Sequence, residues 1–458
     1  MDRFFKLKEK GTNLRTEIIA GITTFMTMAY ILAVNPGILG GAGLDKEAVF
    51  LATAIAAGVV TICMGLFVNF PVALAPGMGL NAYFATTILA SNGTITPSIA
   101  LTAVFISGIV FFILTITKVR QILIDAVPSN LKHAITVGIG LFITIIGLKN
   151  SGLLTVAVEL AKDVKKGSFT DLQSFETVFH MGSLENSNVQ LALIGLILIS
   201  ILMVLRIKGA ILWGILATTL IAWPLGIVDF STLKDASWTP NLGNVNFGDF
   251  DFAGAFSVGL ISIILTFTFV ELFDTFGTLL GAADRTGVMK NPEEGRKVVG
   301  KAMLVDALGV SGGALVGTST VTAYVESASG IAEGGRTGLT SVTTGAMFLL
   351  ALFLAPIALI IPGSATAAAL IIVGVLMMQS VKEIDFHDFV VAIPAFLTVV
   401  LMPFTYNIAN GISFGIVSYV VLASVANIRG GSKYKIHWLM WILAALIVLR
   451  YALIGSQG

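Results

Sequence analysis

Charge is what this chain has least of. Of its 458 residues, only 12% are Asp, Glu, Lys or Arg, and the formal net charge is +1. That is about half the usual soluble share, too little to coat a globular domain with solvated groups. The same apolar excess excludes a disordered chain. The neutral balance excludes a basic nucleic-acid platform. Cysteine is nearly missing too. Cys63 stands alone, so neither a disulfide framework nor a cysteine-based metal site can be built. The four histidines, His133, His180, His387 and His437, lie near the ends of apolar segments and do not cluster, so no metal site is indicated. No cofactor is implied. There is no Walker-type phosphate loop, hence no ATP-driven step on this chain.

What is present is apolar sequence. The hydrophobic set makes up 56% of the chain, and the mean hydropathy is +0.94. These values predict an all-α polytopic membrane protein, since one span takes about 20 residues. Residues 1–16 have no apolar core followed by a cleavage site. They read as a cytoplasmic amphipathic lead-in, not a signal peptide. The apolar segments are 17–39, 48–69, 73–90, 98–117, 131–149, 188–206, 209–228, 254–282, 298–316, 318–332, 339–361, 365–381, 388–403 and 409–428. An additional hydrophobic segment, 437–455, spans or lies against the bundle.

Basic residues test that count. With the N-terminus inside and the loops alternating, twenty Lys and Arg fall inside and six fall outside. That is the bias expected of cytoplasmic loops. It predicts a multi-pass protein of the cell membrane with a cytoplasmic N-terminus. The outside loop 150–187 is polar and mixed in charge, a surface excursion.

The halves of the chain also resemble each other. Thr27, Leu39, Gly40 and Ala42 recur 241 positions later as Thr268, Leu280, Gly281 and Ala283. Ala82-Tyr83 recurs as Ala323-Tyr324 at the same shift. Val127-Pro128 with Gly140 matches Ile361-Pro362 with Gly374, and Trp213-Gly214-Ile215 matches Phe414-Gly415-Ile416. The matches stay collinear over seven spans. Seven is odd, so the second copy enters the membrane inverted, as in secondary transporters.

Such transporters bind substrate where paired spans unwind. The third span carries Pro76-Gly77-Met78-Gly79-Leu80-Asn81-Ala82-Tyr83 inside apolar sequence. The tenth carries the β-branched run Gly317-Thr318-Ser319-Thr320-Val321-Thr322-Ala323-Tyr324, poor for helix and good for strand. Extended backbone at membrane depth is tolerable only where it lines a cavity or is covered by protein.

Four acids fall well inside spans: Glu271, Asp274, Asp306 and Glu326. Each carries an insertion cost of about 2.5–3.5 kcal/mol and so needs a partner or a purpose. Asp306 has Lys301 about one turn away, which favours a structural pairing. Glu271 and Asp274 share one helix face, and Glu326 directly follows the tenth-span break. No basic residue accompanies these three. Carboxylates there suit a neutral ligand rich in N–H donors, and they suit protons. Phe84, Phe273, Phe276, Tyr83 and Tyr324 lie close by in sequence and offer faces to a flat heterocycle.

The motifs Asn35-Pro36-Gly37, Ala75-Pro76-Gly77-Met78-Gly79-Leu80-Asn81-Ala82-Tyr83-Phe84, Glu271-Leu272-Phe273-Asp274-Thr275 and Tyr324-Val325-Glu326-Ser327-Ala328-Ser329-Gly330 resemble the azaguanine-like (AzgA-like) purine permeases. These are a branch of the nucleobase–ascorbate transporters, and the resemblance covers nearly the whole chain. It implies fourteen spans in two inverted sevens, with short broken spans 3 and 10. Core domains would comprise 17–117 (spans 1–4) and 254–361 (spans 8–11). Gate domains would comprise 131–228 (spans 5–7) and 365–428 (spans 12–14). The expected activity is secondary active import of purine nucleobases by proton symport, with hypoxanthine and guanine favoured and adenine next. No enzymatic activity is expected. Substrate-binding candidates are Gly79, Asn81, Glu271, Phe273, Thr322 and Glu326. Proton-coupling candidates are Glu271, Asp274 and Glu326. The expected partners are a purine nucleobase, a proton and the lipid bilayer; a homodimer is left open. The alternatives are another nucleobase such as uracil or xanthine, an anion on the same fold, a channel or a membrane-embedded enzyme.

Overall fold

Apolar segments with no water to satisfy their backbone must close their hydrogen bonds internally, and helices do so. The computed structural model describes residues 2–91, 93–117, 126–156, 179–234, 236–257, 260–430 and 434–454. Within them the anticipated segments appear as helices. The first half has Leu14–Met28 continued by Ile31–Gly40, then Lys46–Cys63, Met78–Ala90, Pro97–Ile116, Ser129–Asn150, Ser187–Val204 and Ala210–Ala222. The second half has Ile261–Arg285, Pro292–Leu315, Ser327–Ala332, Gly338–Leu350, Gly363–Met378, Phe389–Phe404 and Ile408–Gly430. Local chemistry sets several starts. Asp45 caps the second span by accepting from the Ala48 N–H at 2.8 Å, and Pro97 and Pro292 occupy first-turn positions, where their missing N–H costs nothing.

Glycines bring paired helices to backbone contact. A Cβ on Gly345 would sit 2.6 Å from the Gly58 carbonyl, and one on Gly374 would sit 2.6 Å from the Gly140 carbonyl. Small residues allow the close approach by which helices associate in lipid. Gly58–Gly345 joins spans 2 and 11. Gly140–Gly374 joins spans 5 and 12. More widely, Pro97–Ile116 packs on Pro292–Leu315, and Leu14–Met28 packs on Gly338–Leu350. Separately, Ser129–Asn150 packs on Gly363–Met378 and Phe389–Phe404, and Ser187–Val204 packs on Ala210–Ala222.

One carboxylate in this framework was not singled out by the sequence. Glu17 is fully buried. It accepts from the Arg336 N–H at 2.8 Å, the Thr340 N–H at 3.2 Å and the Thr340 hydroxyl at 2.6 Å. Its charge sits at the positive start of the helix Gly338–Leu350, where an anion is favoured, and it fastens the first span to the eleventh.

The last helix, Trp438–Ile454, returns antiparallel along Ile408–Gly430. At one end Tyr434 N–H donates to Asn427 Oδ1 at 2.9 Å. At the other, the Tyr451 hydroxyl donates to Asn410 Oδ1 at 2.6 Å. Asn427 and Asn410 lie near opposite ends of their helix, so the last helix runs along most of its length. Reporters fused to the two termini should therefore read opposite faces of the membrane. Reporters on the same face would mean that this helix does not cross.

Candidate functional site

Both anticipated breaks are short strands, and they pair with each other. Leu74–Pro76 runs antiparallel to Val321–Ala323, with Ala75 opposite Thr322. Gly77 N–H donates to the Thr320 carbonyl at 3.0 Å, and Tyr324 N–H donates to the Ala73 carbonyl at 3.0 Å. The pairing satisfies backbone groups that neither span could satisfy alone in the membrane. The strands start 247 positions apart, at Leu74 and Val321, six more than the 241-residue shift. The correspondence of Ala82-Tyr83 with Ala323-Tyr324 therefore does not hold in space. Tyr83 lies in a helix after its strand, whereas Tyr324 directly follows its own.

The strands floor a cavity of about 550 Å³, within the range of ordinary small-ligand sites. Gly77, Met78, Gly79, Thr322, Tyr324 and Glu326 line it from the breaks. Val373, Leu376 and Met377 face them from the twelfth span, and Thr136 from the fifth. His133, Gln379, Lys382 and Glu383 stand at the mouth. These belong to ends and loops that the count of basic residues assigns to the inside. Gly79 matters by its lack of a side chain: a Cβ there would collide with Ile139 of the fifth span.

Of the anticipated substrate residues, Gly79, Thr322 and Glu326 reach the cavity wall. Asn81 and Glu271 stand behind the strand pair, both buried. The Ser319 hydroxyl donates to Asn81 Oδ1, so Asn81 ties the third-span helix to the tenth-span break. The side chains of Phe273 and Asp274 lie outside the described residues, as does that of Phe276. The remaining aromatics divide. Phe84 is fully buried in packing, Tyr83 meets Phe267 edge-on at 5.1 Å, and Tyr324 lines the cavity while donating to the Pro76 carbonyl at 2.5 Å.

Glu271 belongs to a polar cluster under the strands. The Thr275 hydroxyl lies 3.1 Å from Glu271 Oε1, 3.1 Å from Asp306 Oδ1 and 2.8 Å from the Thr322 hydroxyl. Asp306 Oδ1 also accepts the Ala323 N–H at 3.0 Å. Asp306 is fully buried while Lys301 is exposed, so its place is under the tenth-span strand and not beside the lysine. Tyr30 is a residue that sequence reasoning missed. Its hydroxyl donates to Glu326 Oε1 at 2.7 Å from the interruption between the two helices of the first span.

Two inverted sevens of helices, with paired broken spans meeting at the floor of a cavity, define a secondary transporter fold. The solved transmembrane domain of a cyanobacterium bicarbonate transporter, BicA, superposes with a TM-score of 0.59 at 18% identity, over 90% of this chain and 96% of that chain. That likeness is one of fold alone. The chain belongs to the permease family, whose sequence pattern matches residues 15–414. It is a membrane transport protein, not an enzyme. It is 42% identical over 458 residues to the adenine permease AdeP of Escherichia coli, covering 100% of this chain and 97% of that protein. It is 42% identical over 452 residues to the guanine/hypoxanthine permease PbuO of Bacillus subtilis, covering 97% of this chain and 99% of that protein.

Proposed function

We propose that this protein imports purine nucleobases across the plasma membrane by proton symport, with its N-terminus in the cytoplasm. Hypoxanthine and guanine are favoured, with adenine next. The observation that carries the reading is Glu326, a carboxylate at the wall of an otherwise mostly apolar cavity floored by two paired strands. A carboxylate there recognises ring N–H groups through charge-assisted bonds, and the break residues Gly77, Thr322 and Ala323 on the cavity wall read the rest of the base. The full-length likeness to adenine and guanine/hypoxanthine permeases supports the purine class. An anion substrate fits poorly. Lys382, the basic residue among the lining groups, is at the mouth beside Glu383, away from the strands.

The packing supports a moving core of spans 1–4 and 8–11 against a gate of spans 5–7 and 12–14. The cavity lies between the two groups. Rocking of one against the other would expose it alternately to each side; the mouth is on the face that the count of basic residues assigns to the cytoplasm, which supports reading this geometry as open inward. For the coupled proton we propose the cluster of Glu271, Thr275 and Asp306, next to Thr322 on the cavity wall.

Uptake of labelled hypoxanthine, guanine and adenine by cells lacking purine transport tests the reading, with and without a proton uncoupler. Expression of this chain should confer uptake that the uncoupler abolishes. Uptake of uracil alone would overturn the purine class, and uncoupler-insensitive accumulation would overturn proton coupling.

A further inference from the structure

Glu326 is a carboxylate at membrane depth, and its side chain accepts a hydrogen bond from Tyr30. The first span breaks between Met28 and Ile31. That interruption places Tyr30, 1% exposed, where its hydroxyl donates to Glu326 Oε1 at 2.7 Å. One turn back, the Thr27 and Ser329 hydroxyls lie 2.9 Å apart. All four residues line the cavity. The first span and the short helix Ser327–Ala332 are packed without space between them, since a Cβ on Gly330 would collide with Thr24 and Ala20. Tyr30 and Glu326 therefore move as one unit, and their bond can persist whichever way the cavity faces.

We propose that Tyr30 stands in for the substrate at Glu326 while the carrier returns empty. This rests on the reading that Glu326 accepts a nucleobase N–H. With base bound, that N–H satisfies the carboxylate. Without it, a carboxylate lacking a donor raises the energy of every state in which the cavity is closed to water. Closed states must be crossed on the empty return. Net import needs that return, whereas exchange of one base for another does not. The phenolic O–H holds the carboxylate satisfied through the empty half of the cycle, then yields to or shares with the incoming base. Tyr30 is in this sense a positioning residue for net transport.

Purified protein in liposomes separates the two modes. Labelled hypoxanthine is the probe, with adenine as the second. Wild type should move base into empty vesicles and also exchange it into vesicles preloaded with unlabelled base. Tyr30→Phe keeps the ring and removes the donor. Its exchange should stay within about twofold of wild type while net uptake falls about tenfold or more, the factor that the loss of one charge-assisted hydrogen bond implies. Tyr30→His keeps a ring donor and should recover net uptake. Thr27→Val, on the same wall but not on Glu326, should leave the ratio of the two modes unchanged. Parallel loss of both modes in Tyr30→Phe, or loss of neither, overturns the proposal. So does a shift of the ratio in Thr27→Val. If the Phe variant does not reach the membrane, the His variant carries the test: preserved net uptake supports the donor role, and selective loss of net uptake overturns it. A wild-type protein that moves no purine in either mode overturns the purine reading, and this inference with it.

Discussion

Glu326→Gln should abolish measurable purine binding while leaving the protein in the membrane. The change is isosteric, and Glu326 precedes the helix Ser327–Ala332 without a side-chain cap bond to it, so the local backbone does not depend on the charge. What changes is the pattern of donors. The Tyr30 hydroxyl already points at Oε1, so the amide oxygen of a glutamine would turn toward Tyr30. Its NH₂ group would then face the cavity and oppose a ring N–H donor to donor. Loss of a hydrogen bond to a charged group costs about 1.5–3 kcal/mol. The mismatch adds to that, so affinity should fall by about two orders of magnitude or more. Equilibrium binding of labelled hypoxanthine, guanine and adenine to purified protein measures it. Wild-type affinity in this variant would remove Glu326 from the site. A loss confined to the base, with its analogue methylated at the reading N–H affected little, would confirm that the carboxylate recognises that group, and equal losses for the two would count against it.

How much of this was legible beforehand depends on the kind of signal. Helices that bury their own backbone bonds announce themselves by apolar length alone; most segment boundaries agree with the structure to a few residues, but the ninth helix starts at Pro292 against an expected 298 and the seventh ends at Ala222 against an expected 228. The two breaks were visible for a local reason as well. Pro76 and Gly77 cannot sustain a helix, and the run Thr318–Thr322 prefers extended backbone. The pairing register was not visible. A repeat matched through Ala, Leu and Gly cannot locate six extra residues, and only the ladder of Ala75 on Thr322 fixes it. Contacts between distant residues were least legible. Tyr30 meets Glu326 across 296 positions, and Glu17 meets the Arg336 N–H across 319. The partners of Glu17 are largely backbone amides, which carry no residue signature. Asp306 misled for the opposite reason: Lys301 is near in sequence, but it is exposed while the acid turns inward to the Ala323 amide.

Replacing Glu271 by Gln should leave a carrier that still moves purine but no longer accumulates it. The Thr275 hydroxyl has a single proton, yet two carboxyl oxygens lie 3.1 Å from it. It cannot donate to both. Asp306 Oδ1 already accepts the Ala323 amide, so it is an acceptor. If Thr275 donates to Asp306, then Glu271 Oε1 faces an oxygen lone pair, a repulsive contact unless that carboxyl carries a proton. A proton on Glu271 completes the chain: Glu271 donates to Thr275, and Thr275 donates to Asp306. When the proton leaves, the single Thr275 hydrogen is contested by two carboxylates, and the Thr275 oxygen accepts from the Thr322 hydroxyl at 2.8 Å; Thr322 is on the cavity wall. The proton state is thereby felt at the substrate site through two hydroxyls. Gln at position 271 presents a permanent N–H donor to Thr275 and mimics the protonated state. With an inside-negative potential, one coupled proton is worth about 2.3 kcal/mol per 100 mV, which corresponds to about fifty-fold accumulation of a neutral base. Wild-type vesicles should approach that ratio under an imposed potential of about 100 mV. Vesicles with Glu271→Gln should equilibrate near unity and exchange normally, with an uncoupler making no difference. Accumulation that persists in the variant and still collapses with the uncoupler would move the coupled proton away from Glu271, and Asp306→Asn and Glu326→Gln would then show which carboxyl holds it.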